Sequence, residues 1–278
     1  MRKQETRSGK LIIIGGRKDK SEGHRILGEV VREVGDGKLV IATVATRMPL
    51  ELWQEYYDVF TELGVKNCQH LLIENRLDAL KSQSVEIVDG AKVVFFTGGN
   101  QLKITSELGG TSVCDSIHRV YDSGGVIAGT SAGASAMSET MLLSSESDES
   151  PRVGKIARMA PGLGFIHNII IDQHFARRNR VSRLIGVVAQ NPCHLGVGID
   201  ENTAIVLTKG ESFQVIGEGA VYVVDAHEST DTNIADGEPD QTLSVFDLKV
   251  HVLSEGNFFE MESRRPRTRA LYSVASAV

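Results

Sequence analysis

Ser131 is the residue whose surroundings point most directly to chemistry. It lies in the run Gly129-Thr130-Ser131-Ala132-Gly133, directly after the apolar run Gly125-Val126-Ile127-Ala128. A serine between small residues at the end of a buried strand is typical of a sharp strand-to-helix turn that exposes a nucleophilic hydroxyl. Glycines at both flanks suit this turn, because its strained backbone and close packing leave no room for a bulky side chain. An ordinary tight turn is the alternative interpretation.

A nucleophilic serine needs a base within hydrogen-bond reach and an acid that orients this base. Among the eight histidines, His174 stands out because it follows the run Ile169-Ile170-Ile171-Asp172-Gln173. Glu201 follows the run Val197-Gly198-Ile199-Asp200 in the same way. We therefore expect both at the carboxyl ends of strands, at the same sheet edge as Ser131. A hydrogen-bonded structural role is the alternative for each. The order Ser, His, Glu differs from that of α/β-hydrolases and favours another fold.

Backbone N–H groups near Ser131 would be needed to stabilise the oxyanion of a tetrahedral intermediate. The N–H of Ala132 is one candidate. The N–H of Gly99 is the other, because the double glycine Gly98-Gly99 follows the apolar run at residues 93–96. A plain tight turn at Gly98-Gly99 is the alternative.

The elements that must position these residues alternate between short β-branched runs and amphipathic helical segments. This alternation of strands and helices predicts an α/β fold with a mostly parallel central sheet flanked by helices. Short runs after Glu201, separated by glycine-bearing turns, predict antiparallel hairpins at the sheet edge. The predicted strands are 11–14, 38–43, 68–73, 93–96, 125–128, 168–172, 195–199, 203–207, 212–216, 220–224 and 244–253, and the predicted helices are 50–63, 112–123 and 179–190.

No internal repeat or long linker divides the chain, so we expect one domain over residues 1–278 with a polar N-terminal tail and a basic C-terminal tail. The tail arginines, Arg264, Arg265, Arg267 and Arg269, are expected to be solvated. The polar, acidic segment 144–150 is expected to be a surface loop, and a lid over a site is the alternative.

Taken together, these residues resemble the cyanophycinases, serine peptidases related in fold to aspartyl dipeptidase and to class I glutamine amidotransferases. The resemblance runs from Leu11 to about Val224. It is carried by Gly98-Gly99-Asn100-Gln101, the run around Ser131, Asp172-Gln173-His174-Phe175, the arginines at 177, 178, 180 and 183, and Asp200-Glu201.

The resemblance implies roles for these residues and a substrate. Ser131 would be the nucleophile, His174 the general base and acid, and Glu201 the residue that orients His174. The implied substrate is cyanophycin, a polyaspartate with arginine joined to each β-carboxyl, and a homodimer is implied as well. The positions that match the substrate pocket of the family are Gln101, Asp172, Gln173, Arg178, Arg180 and Arg183.

The charged side chains at these positions are compatible with this substrate. Asp172 could bind a substrate guanidinium, and an arginine could bind a terminal carboxylate as a bidentate fork. The four arginines cannot all line one pocket. A solvated helix face, or ion pairs with nearby acids, is the alternative for some of them.

Composition excludes several other classes. The net charge is −6, which gives no general attraction for nucleic acid, and no apolar run approaches the length of a membrane span. We expect no nucleotide and no metal, because neither nucleotide-binding glycine motifs nor metal-ligand spacings occur. The three cysteines lack disulfide-like spacing, so we expect a cytoplasmic protein. An aspartyl or isoaspartyl dipeptidase of the same fold, and a noncatalytic binding protein that keeps the fold, are the alternative functions.

Overall fold

A computed structural model describes residues 9–16, 24–143, 151–208 and 212–268 of the chain. The predicted N-terminal tail up to residue 8, the segment 144–150 and the tail beyond residue 268 lie outside these ranges. The strands are β1 Lys10–Ile14, β2 Lys38–Ala42, β3 Cys68–Leu71, β4 Ala91–Phe96, β5 Val126–Thr130, β6 Thr140–Leu142, β7 Met159–Pro161, β8 Ile169–Gln173, β9 Leu195–Ile199, β10 Thr203–Thr208, β11 Ser212–Gly217, β12 Val221–Asp225, β13 Lys249–Leu253, β14 Phe258–Glu260 and β15 Arg265–Arg267. The helices are α1 His24–Val34, α2 Pro49–Glu62, α3 Ser82–Val88, α4 Gln101–Leu108, α5 Ser112–Asp122, α6 Ala132–Ser135 and α7 Val181–Gln190.

The central sheet has nine strands in the order β15-β14-β11-β10-β1-β5-β4-β2-β3. The strands from β1 to β3 in this order all run parallel. The strands from β10 to β15 extend the sheet antiparallel on the far side of β1. This confirms the predicted parallel core and the predicted hairpin of β10 and β11 at its edge.

Alternate residues of the central strands face opposite layers of the protein, as the period of a strand requires. Ile12 of β1 packs with Val30 of α1 in one apolar core. Leu11, its neighbour, belongs to a second core that includes Ile117 of α5 and Ile171 of β8. The sheet is therefore covered by apolar side chains on both faces, and the helices flank it as predicted.

The strands that precede His174 and Glu201 lie in a separate sheet, with the order β13-β12-β9-β8. The expectation that both residues would follow strands of the same sheet as Ser131 is therefore wrong. The reason is that β10 pairs with β1 in antiparallel fashion and occupies the edge where a further parallel strand would have added. The predicted strand at 220–224 is β12, which pairs with β9 in this second sheet.

Several predicted boundaries shift where the backbone adopts a positive φ. The helix expected from residue 179 begins at Val181, because Asn179 has a φ of 48°. The strand expected from residue 244 begins only at Lys249, because Asp247 has a φ of 58°. Part of the expected basic tail is also ordered: β15 pairs with β14, and Arg267 pairs with Glu260 at 2.7 Å. The segment up to residue 268 is therefore partly ordered, whereas Arg265 is exposed as expected.

The close packing of Phe175 on β9 generates a stability prediction. A Cβ atom at Gly198 would lie 2.5 Å from the ring of Phe175, which is fully buried and cannot move aside. We expect Gly198→Ala to lower the free energy of unfolding by about 1–3 kcal/mol. As a control, Gly28→Ala in α1, where a Cβ meets nothing within 4 Å, should raise it by about 0.5–1 kcal/mol. Urea denaturation measures both, and an unchanged midpoint for Gly198→Ala would contradict the packing argument.

Candidate active site

Ser131 lies at a strained turn between β5 and α6. Its φ of 52° and ψ of −111° are rare for a residue with a side chain, and such strain is concentrated at functional sites. The turn closes only because its flanking residues are glycines. A Cβ at Gly129 would lie 2.8 Å from the carbonyl oxygen of Gly133, and one at Gly133 would lie 2.5 Å from that of Phe96.

The side chains of Ser131, His174 and Glu201 form a hydrogen-bonded line. Oγ of Ser131 lies 3.0 Å from Nε2 of His174, and Nδ1 of His174 lies 2.6 Å from Oε1 of Glu201. The side chains of His174 and Glu201 are only 14% and 9% exposed. With its proton on Nδ1 facing the carboxylate, the imidazole presents Nε2 as an acceptor to the hydroxyl.

Consecutive residues at the end of β1 hold the three segments together. The N–H of Ser131 donates to the carbonyl of Ile14 at 3.0 Å, and the N–H of His174 donates to that of Gly15 at 2.8 Å. The N–H of Asn202, which follows Glu201, donates to the carbonyl of Gly16 at 2.9 Å. This short backbone segment therefore brings together side chains that come from different sheets.

Both glycines of this segment are needed for the close approach. A Cβ at Gly15 would lie 2.3 Å from the carbonyl oxygen of Asp200, and one at Gly16 would lie 2.3 Å from Cε1 of His174. This pair is not named in the sequence analysis, and its part in the site was missed. The signal was a double glycine at the end of the first parallel strand.

The surroundings of His174 and Glu201 favour a neutral imidazole beside a carboxylate. Burial lowers the pKa of His174, and the hydrogen bond with Glu201 opposes this shift only in part. Burial would raise the pKa of Glu201, but hydrogen bonds from His174 and Arg177 outweigh it and lower the pKa overall. At neutral pH His174 can therefore accept a proton, and the ionised Glu201 can stabilise the imidazolium that results.

The two candidate oxyanion donors belong to the turn at Ser131 and to the turn after β4. Ala132 is the first residue of α6, so its N–H has no carbonyl partner inside that helix. A Cβ at Gly98 would lie 3.6 Å from Cβ of Ser131, which places the turn after β4 next to the hydroxyl. Gly99 has a φ of 141°, and a Cβ there would lie 2.3 Å from the carbonyl oxygen of Ala45.

Gln101 is the first residue of α4, directly after this glycine turn. Asn100 caps the helix by accepting from the N–H of Leu102 at 3.0 Å. Nε2 of Gln101 donates to the carbonyl of Leu142 at 2.9 Å. The amide oxygen of Gln101 is the end of this side chain that can accept from a ligand.

The predicted pocket residues Asp172, Gln173, Arg180 and Arg183 come together in a buried network. Oδ1 of Asp172 accepts from Nη1 of Arg180 at 3.0 Å, and Oδ2 accepts from Nε of Arg183 at 2.6 Å. Oε1 of Gln173 accepts from Nη1 of Arg180 at 3.2 Å. Asp172 is 1% exposed, and burial lowers the pKa of Arg180 to about 10. The carboxylate thus already binds guanidinium groups of its own chain.

The two exposed arginines of the same segment differ in their partners. Nη1 of Arg177 donates to both carboxylate oxygens of Glu201, at 3.0 Å each. Arg178 is exposed and lies near enough to His174 to lower its pKa through charge. No acidic side chain in the described ranges pairs with Arg178. Sequence reasoning did not separate these adjacent arginines, because spacing alone does not show which acid each one meets.

Other groups add little to this site. No cluster of metal-ligating side chains occurs within the described residues. No helix in the described ranges is long and apolar enough to cross a membrane. The three cysteines are all free thiols, and Cys193 is the exposed one.

Comparison with known proteins places this geometry in a family. The sequence model of peptidase family S51 matches residues 12–216. A cyanophycinase from Nostoc sp. is 36% identical over 267 residues, which cover 95% of this chain and 89% of the relative. A cyanophycinase from Geminocystis herdmanii is 34% identical over 267 residues, which cover 95% of this chain and 97% of the relative.

A solved structure agrees with the fold. A peptidase from an acI-B1 Actinobacterium superposes with a TM-score of 0.64 and 23% sequence identity, covering 91% of this chain and 97% of its own. The family match spans β1 to β11 and includes Ser131, His174 and Glu201. The chain therefore belongs to peptidase family S51.

Proposed function

We propose that this protein is a serine exopeptidase that hydrolyses the polyaspartate backbone of cyanophycin and releases β-aspartyl-arginine dipeptides. The observation that carries the proposal is the hydrogen-bonded line from Ser131 through His174 to Glu201, with Ser131 presented at a φ of 52°. The substrate class is supported by full-length relatives named cyanophycinase. We further propose that the enzyme works in the cytoplasm, as a homodimer and without a cofactor.

In the acylation step, Oγ of Ser131 attacks the scissile carbonyl carbon while Nε2 of His174 takes its proton. Glu201 stabilises the imidazolium through Nδ1. The N–H groups of Ala132 and Gly99 donate to the oxyanion, and each such donor lowers the barrier by about 3 kcal/mol. The carbon–nitrogen bond then breaks, His174 gives its proton to the leaving amine, and an ester on Ser131 remains.

In the deacylation step, a water molecule attacks the ester carbonyl and passes a proton to Nε2 of His174. The second tetrahedral intermediate collapses, and the proton returns to Oγ of Ser131. The acyl product leaves with a new carboxylate, and the enzyme returns to its starting state. Ser131 and His174 are the protein groups that exchange protons in these steps, whereas Glu201 and the backbone N–H groups stabilise charge.

Arg178 is the proposed ligand of the substrate carboxylate. It is exposed, lies near His174, and has no acidic partner among the described side chains. A guanidinium binds a carboxylate as a bidentate fork, so Arg178 would hold a free carboxylate of the substrate. Gln101 and Gln173 remain proposed contacts, and the amide oxygen of Gln101 suits a substrate guanidinium.

For Asp172, Arg180 and Arg183 we propose an indirect part in substrate binding. Both carboxylate oxygens of Asp172 accept from Arg180 and Arg183, so a direct bond from Asp172 to a substrate guanidinium is not favoured. A buried, mutually paired network instead fixes the shape of the segment that carries His174 and Arg178.

For the proposed function, the first prediction concerns the nucleophile. We expect Ser131→Ala to lower the release of β-aspartyl-arginine from cyanophycin by at least about a thousandfold. Ser138→Ala is the control, because Ser138 is buried and its hydroxyl has no hydrogen-bond partner among the described residues. Chromatography with mass spectrometry measures the product. Intact polymer with wild-type protein, or unchanged release by Ser131→Ala, would refute the proposal, and cleavage of aspartyl dipeptides alone would favour the dipeptidase alternative.

The second prediction concerns pH. Protonation of His174 removes the base, and burial lowers the pKa of His174 below its ordinary value of 6.5. We therefore expect the acid limb of kcat/KM to have its midpoint below pH 6.5, the ordinary value for histidine. Glu201→Gln removes a negative charge next to the imidazole and should move this midpoint further down while lowering kcat. An acid limb at higher pH than 6.5 in the wild type would contradict this reasoning.

The third prediction concerns the buried network. Asp172→Asn leaves two buried guanidinium groups without their counter-charge, so we expect a loss of about 3 kcal/mol or more in the free energy of unfolding. Asp240→Asn is the control, because Asp240 pairs with Lys155 at 2.5 Å on the surface, where both side chains are more than half exposed. That change should cost less than about 1 kcal/mol. Equal stabilities of the two variants in urea would show that the network is not structural.

A further inference from the structure

Arg177 lies on the solvent side of Glu201 and binds the same carboxylate that orients His174. Its Nη1 is 3.0 Å from Oε1 and 3.0 Å from Oε2 of Glu201. The Arg177 side chain is 66% exposed, whereas that of Glu201 is 9% exposed. Oε1 therefore accepts from His174 and from Arg177 together, and the guanidinium covers the outer face of the carboxylate.

We propose that Arg177 is a positioning residue of the active site, which fixes the Glu201 carboxylate against His174 and balances its charge. The inference rests on the proposed function, because it assigns Arg177 a part in the same Ser131, His174 and Glu201 unit. Arg177 acts through Glu201 and needs no contact with the substrate.

The backbone between His174 and Arg180 is held in place, so the position of Arg177 is fixed by the fold. The N–H of Ala176 donates to Oδ1 of Asp200 at 2.8 Å, and the N–H of Phe175 donates to the carbonyl of Ile199 at 3.2 Å. Oδ2 of Asp200 accepts from the N–H of Ala220 at 3.1 Å. The segment that carries Arg177 is thus docked onto the end of β9, directly beside Glu201.

Each acid of the site pairs with different arginines. Arg180 and Arg183 bind Asp172, and Arg177 binds Glu201. Arg178 remains without an acidic partner in the described part of the chain. Two adjacent residues of one segment therefore have different roles. Arg177 binds Glu201, the partner of His174, and Arg178 is the proposed ligand of the substrate.

Electrostatics give the direction in which loss of Arg177 would shift the pKa of His174. The charged groups that face His174 are Glu201, Arg178 and Arg180, and those that face Glu201 are His174 and Arg177. Without Arg177, the carboxylate would attract the imidazolium proton with less competition, so His174 would hold its proton to higher pH. Glu201 would also lose a hydrogen bond that restricts its rotamer, and the line to Ser131 would loosen.

The test compares Arg177→Gln, Arg177→Lys and Arg25→Gln with the wild-type protein. Arg25 is the matched control, because its side chain is 67% exposed and pairs with Glu255 rather than with a residue of the site. The titration of His174 is followed by NMR, with its signal assigned by its loss in His174→Ala. Steady-state kinetics on cyanophycin separate kcat from KM.

We expect Arg177→Gln to move the His174 titration to higher pH and to lower kcat about tenfold, with KM within about twofold of the wild type. Arg177→Lys keeps the charge, so its titration should stay near that of the wild type while kcat is intermediate. Arg25→Gln should match the wild type in every measurement.

Two results would overturn the inference. One is a His174 titration and kcat that are unchanged in Arg177→Gln. The other is a raised KM with unchanged kcat and titration, which would make Arg177 a substrate ligand. Because the NMR titration needs no substrate, a wild-type protein without activity on cyanophycin would refute the proposed function and would still leave the part of Arg177 measurable.

Discussion

The carbonyl groups of Ile14, Gly15 and Gly16 are the constraint on which the site depends. They accept, in this order, from the N–H groups of Ser131, His174 and Asn202. The nucleophile comes from the central sheet, and its partners come from the second sheet. Side chains from two sheets can stay about 3 Å apart only if a rigid backbone segment holds both sheets in place. The end of β1 is this segment.

Beside this framework, the carboxylates of Asp172 and Glu201 are both paired with arginines. Asp172 is buried with Arg180 and Arg183, which makes it a structural centre. Glu201 shares its carboxylate between His174 and Arg177, which keeps it ionised beside a neutral imidazole. Arg178 has no acidic partner among the residues that the structure describes. Burial thus lowers the pKa of His174 beside an arginine-rich segment.

The sequence patterns predicted many of the strands and helices, but not how the strands pair into two sheets. Apolar runs that end in glycine turns predicted the parallel core and the strand ends that carry Ser131, His174 and Glu201, because burial and turn chemistry are local signals. The second sheet was missed, since pairing of β10 with β1 depends on contacts that are distant in sequence. The partners of Asp172 and Arg177 were equally out of reach, because ion pairs depend on the folded position of each side chain.

The most direct test of the central claim is to find which residue a serine-directed sulfonyl fluoride modifies in the folded protein. Peptide mapping by mass spectrometry identifies the site, and hydrolysis of cyanophycin is assayed on the same sample. We expect modification of Ser131 alone, with loss of hydrolysis in proportion to labelling. Modification at another residue, or hydrolysis that persists after Ser131 is fully labelled, would contradict it.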